Sequence, residues 1–79
     1  MKTKKYAIVI EHGENNLSAY VPDLPGCITT GRTVDEVERN IREAIKLHLE
    51  GLCEDGEPLP DPHTVVTYVE LQPERRSAL

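Results

Sequence analysis

Residues 33–53 read TVDEVERNIREAIKLHLEGLC, and the fold is decided there. Thr33-Val34-Asp35-Glu36 is a capping box, in which a threonine hydroxyl accepts from the first free N–H groups of a helix and a glutamate three residues on reaches back. Asp35 and Glu36 also suit the positive end of a helix dipole. Positions 34, 37, 41, 44, 45, 48 and 52 form one stripe at helical spacing, apolar except for His48. Glu36, Arg39, Glu43, Lys46 and Glu50 fall on the other side. A helix is therefore expected over residues 34–53, ending before Gly56 because Pro58, Pro60 and Pro62 forbid its continuation.

The segments on either side of this helix read as strands. Residues 6–11 (YAIVIE) are β-branched and run into a turn-rich HGENN at 12–16. Residues 17–21 (LSAYV) then alternate, with Leu17, Ala19 and Val21 on one face and Ser18 and Tyr20 on the other, so the pair predicts a β-hairpin. Pro22-Asp23-Leu24-Pro25-Gly26 cannot continue a central strand, and a short third strand is expected over 27–30. After the helix, residues 57–62 (EPLPDP) read as an extended connector and 64–71 (TVVTYVEL) as a further strand. A right-handed crossover sets that last strand parallel to the first. The expectation is an α+β β-β-β-α-β domain over residues 1–71, a mixed sheet in the order 3-2-1-4 with one helix on one face. Residues 72–79 are expected to be a flexible tail.

One helix leaves a sheet face uncovered. Tyr6, Ile8 and Ile10 lie on one side of the first strand and Ala7 and Val9 on the other; Val65, Val69 and Leu71 oppose Val66 and Tyr68 on the last. Exposed apolar patches of this kind mark contact surfaces. Tyr6, Ile8, Val66, Tyr68 and the flanking helix residue Leu47 are the candidate contacts between copies of the chain. The composition points the same way. A chain of 79 residues with no Trp, no Phe and three Tyr has a small aliphatic core and buries only about 60–65 % of its unfolded surface. Association adds to that core.

The remaining composition narrows the function. Fourteen acidic residues against nine basic give a net charge of −5, which disfavours direct nucleic-acid binding and suits a basic partner. Cys27 and Cys53 form no CxxC pair and have no partner set for a metal. No apolar run reaches the roughly 20 residues of a membrane span, and no secretory signal is legible, so the chain reads as cytoplasmic. No catalytic, cofactor-binding or metal-binding residue is assigned. His48 reads as a neutral core or interface histidine; in an interface, its protonation near pH 6 would loosen assembly.

Ala19-Tyr20-Val21-Pro22-Asp23-Leu24-Pro25-Gly26-Cys27, then Thr30-Gly31-Arg32-Thr33, then Val37, Asn40, Ile41, Glu43, Ala44 and Ile45 together resemble the HicB-like antitoxin domain. Glu54-Asp55-Gly56-Glu57-Pro58-Leu59-Pro60 resembles that family's helix-exit loop, and the likeness covers about residues 4–71. The resemblance implies a partial RNase H-like fold that assembles as dimers or tetramers. It also implies inhibition of a small HicA toxin, an mRNA-cleaving ribonuclease, by occlusion of its catalytic surface. Many members carry a C-terminal DNA-binding segment; eight residues follow Leu71 here, so that role is not expected of this sequence.

The PDLPG stretch has two readings. One is a rigid turn that aims the third strand, the other a preordered loop that docks a partner at little entropic cost. Tyr20, Pro22, Asp23, Leu24, Pro25 and Glu11 are the candidate partner-binding residues. Two other classes stay open. A residual metal-dependent nuclease on an RNase H-like frame would need carboxylates such as Glu11, Asp23 and Glu43 to converge. The third possibility is an oligomeric binding module whose ligand is not a toxin.

Overall fold

The capping signal is realised with a shift at one end. In the computed structural model, which describes residues 3–74, Thr33 is extended and its hydroxyl accepts from the Glu36 N–H at 3.1 Å. The Glu36 carboxylate reaches back to the N–H of Arg32 at 2.6 Å, one residue before the cap. The helix α1 (Val34–Glu54) then runs 21 residues. Its exit is closed twice: the Gly56 N–H donates to Cys53 O at 3.1 Å and the Glu57 N–H to Leu52 O at 2.9 Å. This paired closure needs a left-handed residue, which Gly56 supplies at φ 73°.

Before α1 come three antiparallel strands, β1 (Val9–His12), β2 (Leu17–Tyr20) and β3 (Ile28–Gly31), in the sheet order β1-β2-β3. Their register sets the faces. Ile10 opposes Ala19 and Ala19 opposes Thr29, all on the side toward α1. Val9 opposes Tyr20 and Tyr20 opposes Ile28, on the open side. The helix sits over β3 and β2. Gly31 allows the approach, because a Cβ there would lie 2.9 Å from the Val37 nitrogen. Asn40 adds a bond from its side-chain amide to Thr30 O at 2.9 Å.

Ala19, Val21, Leu24, Cys27, Val37 and Ile41 form the buried core, ringed by half-buried Tyr6, Ile8, Ile10, Ala44, Ile45 and Leu49. Leu49 packs onto the apolar stripe, while the flanking Leu47 is exposed.

Two expectations are corrected. β1 is shorter than the 6–11 read from sequence, because its ladder ends at the Val9 and Tyr20 pair. Beyond that pair the Val21 N–H is turned to Cys27 O, and Pro22 has no N–H to offer. The larger correction concerns residues 64–71. Among the described residues they join no ladder, and the order 3-2-1-4 reduces to its first three strands. Val65, Val66, Tyr68, Val69 and Leu71 are exposed on an extended arm, and the molecule is drawn out to 60 Å. β-branched composition makes a segment able to pair; it does not supply the edge to pair with. Of the expected tail, residues 72–74 form no regular element; residues 75–79 lie outside the described part, as do Met1 and Lys2.

Candidate partner-binding face

The loop after β2 is built as a set of nested turns. The Val21 N–H donates to Cys27 O at 3.1 Å, Leu24 N–H to Val21 O at 3.0 Å, and Cys27 N–H to Leu24 O at 3.0 Å. Gly26 closes the loop at φ 84°, a left-handed conformation that favours glycine. The effect is to turn Val21, Leu24 and Cys27 into the core and leave Pro22 and Pro25 outside. Leu24 is fully buried, so the loop's central apolar residue packs the core. Burial pushes the Cys27 thiol pKa up.

Asp23 has an unexpected role. It is 5 % exposed, and its carboxylate holds the root of the C-terminal arm. Oδ2 accepts from the N–H groups of His63 and Thr64 at 3.1 and 3.2 Å, and Oδ1 accepts from the Thr64 hydroxyl at 2.7 Å. The His63 ring lies 3.2 Å from Oδ1. The Thr64 hydroxyl bond, then the backbone bonds of His63 and Thr64, hold this carboxyl below its ordinary pKa. Two more ties fix the connector. Lys4 Nζ pairs with Asp61 at 2.6 Å, which raises the lysine and lowers the aspartate, and the Tyr6 hydroxyl donates to Pro60 O at 2.5 Å. Nothing near Asp23 in sequence announces these partners, which lie forty residues downstream.

On the open sheet face the register lines up Val9, Tyr20 and Ile28 across all three strands. Tyr20 is 39 % and Ile28 62 % exposed. Together with Pro22, Pro25 and the edge of Leu24 they border a shallow 300 Å³ hollow. Glu11 lies on the same face one row on, beside Ser18 and then Thr30, where the surface becomes polar. The arrangement is an apolar row on a stiff loop, with a polar border, and it is suited to docking a protein surface.

Residues 6–78 match the family described as the HicB-like antitoxin of bacterial toxin-antitoxin systems. The chain belongs to that family. A relative in Haemophilus phage HP1, an uncharacterized 14.9 kDa protein in the rep-hol intergenic region, is 42 % identical over 69 residues. That alignment covers 87 % of this chain and 51 % of the phage protein, so the chain spans about half its length. A UPF0150 protein of Archaeoglobus fulgidus is 46 % identical over 56 residues, covering 67 % of this chain and 81 % of that one. Among solved structures, a chain of the HicA3 and HicB3 toxin-antitoxin complex superposes with a TM-score of 0.65 at 35 % identity, covering 76 % of this chain and 70 % of its own.

Within this HicB-like frame, the sequence-predicted contact residues divide. Tyr20, Pro22, Pro25 and Glu11 are exposed, while Asp23 and Leu24 are buried and shape the loop. Val9 and Ile28 were missed, although the alternation that places Tyr20 outward extends to both. Tyr6 and Ile8 lie on the helix side, half-buried; Val66 and Tyr68 lie on the arm, and Leu47 is on the outer side of α1. These five do not form one patch. Of the three acids weighed for nuclease chemistry, Glu11 and Glu43 are exposed and Asp23 is occupied by the arm. Among the described residues, no three His, Cys, Asp or Glu side chains are grouped to hold a metal. No described helix is long and apolar enough to cross a membrane.

Proposed function

We propose that this HicB-like chain is the antitoxin of a HicA-type toxin, an mRNA-cleaving protein, and acts by covering that toxin's catalytic surface. The observation that carries the reading is the row of exposed Tyr20 and Ile28 beside half-buried Val9, bordered by Pro22 and Pro25 and held by a loop whose own core residue is buried. Aromatic residues on rigid supports are the usual anchors of protein interfaces, and Tyr20 is placed as one. Asp23 and Leu24 contribute by fixing the loop, and Glu11 by giving the border a negative charge. Membership of an antitoxin family and likeness to a chain of a toxin-antitoxin complex support the partner class. The net charge of −5 suits an RNA-binding, hence basic, partner. Occlusion asks for no chemistry from the antitoxin, so the role is non-enzymatic and belongs in the cytoplasm, where mRNA is cleaved.

The test is co-expression with a HicA-type toxin of the same genome. The pair should co-purify and restore growth. Tyr20→Asp with Ile28→Asp should weaken the complex at least about tenfold, as expected for loss of a central anchor, while the circular dichroism spectrum stays unchanged. Full-strength binding by that variant would move the interface off this face, and no binding by either form would sink the antitoxin reading. RNA cleavage by the purified chain alone, abolished by chelation, would replace it with a nuclease.

A further inference from the structure

A buried carboxylate in the docking loop is answered entirely from outside the loop. Asp23 is buried between Pro22 and Leu24, in the segment that borders the hollow beside Tyr20 and Ile28. Among the described residues, every hydrogen bond to its carboxylate comes from His63 or Thr64, which lie 40 and 41 positions downstream. The loop's own bonds do not reach it. Val21, Leu24 and Cys27 donate their N–H groups to carbonyls within the loop, and Pro22 and Pro25 have none to donate. The backbone thus supplies the loop's shape, while the tie between that shape and the rest of the chain passes through Asp23.

Those bonds can form only when the loop is seated, with Leu24 and Cys27 in the core. Bonds to a charged acceptor are among the stronger ones in a protein, so they bias the loop toward that seated state. With residues 63 and 64 withdrawn, the carboxylate turns to bulk water and the bias is lost. Two ties upstream keep the withdrawn root close. Tyr6 holds Pro60 O and Lys4 holds Asp61, so the segment that grips Asp23 is delivered to it at little entropic cost and can return. The partner-facing side depends on the same state. Pro22 and Pro25 border the hollow only while Val21, Leu24 and Cys27 are seated beneath them.

We infer that residues 63 and 64 are a latch on the docking loop: by gripping Asp23 they keep Pro22 and Pro25 seated for the partner, and docking of the partner tightens the grip in return. The two sites are linked through one equilibrium, between a seated loop with the latch closed and a lifted loop with it open. Such linkage is reciprocal, so whatever the latch adds to docking, docking adds to the latch. The docking half rests on the antitoxin reading above. The latch itself does not.

Amide exchange and toxin dissociation, measured on the full chain, test the two halves separately. Thr64→Val keeps the side chain's shape and deletes only its hydroxyl. Exchange at the Leu24 and Cys27 N–H groups should then quicken about tenfold, the loss of one bond to a charged group, with Val37 and Ile41 unchanged as the measure of the whole domain. Thr64→Ser should restore the slow rate. Against a HicA-type toxin of the same genome, Thr64→Val should dissociate about fivefold faster or more, and Thr64→Ser and Val65→Ala at the rate of the unaltered chain. Toxin binding should in turn slow exchange at the His63 and Thr64 N–H groups, although neither residue lines the hollow. Loop amides indifferent to Thr64→Val would overturn the latch. Equal dissociation of Thr64→Val and the unaltered chain would overturn its coupling to docking. An unaltered chain that binds no toxin would overturn that coupling together with the antitoxin reading, and the loop amides would still decide the latch.

Discussion

The loop over residues 21–27 and the arm over residues 64–71 reverse what their compositions suggest. The loop holds two prolines and a glycine, the arm a run of valine, threonine and tyrosine. Yet the loop is buried at Val21, Asp23, Leu24 and Cys27, and the arm is exposed from Val65 on. The difference lies in available partners. Three backbone bonds and the underside of α1 receive the loop, whereas among the described residues the arm joins no strand of the sheet. Regularity and burial are separate properties: an irregular segment whose polar groups are satisfied can be core, and a regular one without a neighbour is surface.

The contrast is broken most severely at Leu24. Leu24→Ala should cost about 2–5 kcal/mol, the range for emptying a fully buried leucine site. Val65→Ala in the arm should stay within about 0.5 kcal/mol. Urea titration of both variants checks the pair. Equal losses would mean that the arm is as much a part of the domain as the loop.

Gly26 tests the loop's backbone alone. Nothing lies within 4 Å of where its Cβ would stand, so Gly26→Ala meets no clash and pays only for the left-handed φ of 84°. That penalty is about 1–2 kcal/mol, read from the same titrations.

Asp23 is where the two regions join. Asp23→Asn presents an amide to donors that now meet a carboxylate, so exchange protection at the His63 and Thr64 N–H groups should fall about tenfold with little change in the core of α1. The pH dependence follows from the direction of the shift. Because the folded carboxyl lies below its ordinary 3.8, its contribution is complete above that value and is lost as pH falls through the lowered one. Protection at these two amides should therefore hold down to about pH 4 and decline only in stronger acid, with Asp23→Asn flat over the same range.

Legibility in the sequence followed the reach of the interactions. The helix, its threonine cap, its end before Gly56 and the alternation of the second strand were readable because each rests on residues within a few positions of one another. The family pattern was readable for the same reason, since AYVPDLPGC and TGRT are local runs. Leu24 was read as a possible docking residue because an apolar side chain between two prolines gives no sign of which way the turn points it. Asp23 was missed as a clamp because Thr64 and His63 become its neighbours only after the helix has returned the chain to the end of the sheet. The fourth strand failed differently. Its β-branched composition suits a strand, but pairing also needs a neighbouring edge, and composition does not say where the folded chain sets the segment.

The two thiols have a consequence of their own. Cys53 is exposed at the end of α1, while Cys27 is sealed beneath the loop with its ionisation suppressed by burial. A thiol reagent in neutral buffer meets the first on contact and the second only when residues 21–27 lift. The interval between the first and second adduct, followed by mass spectrometry on the unmodified chain, is a stopwatch for the opening of that loop.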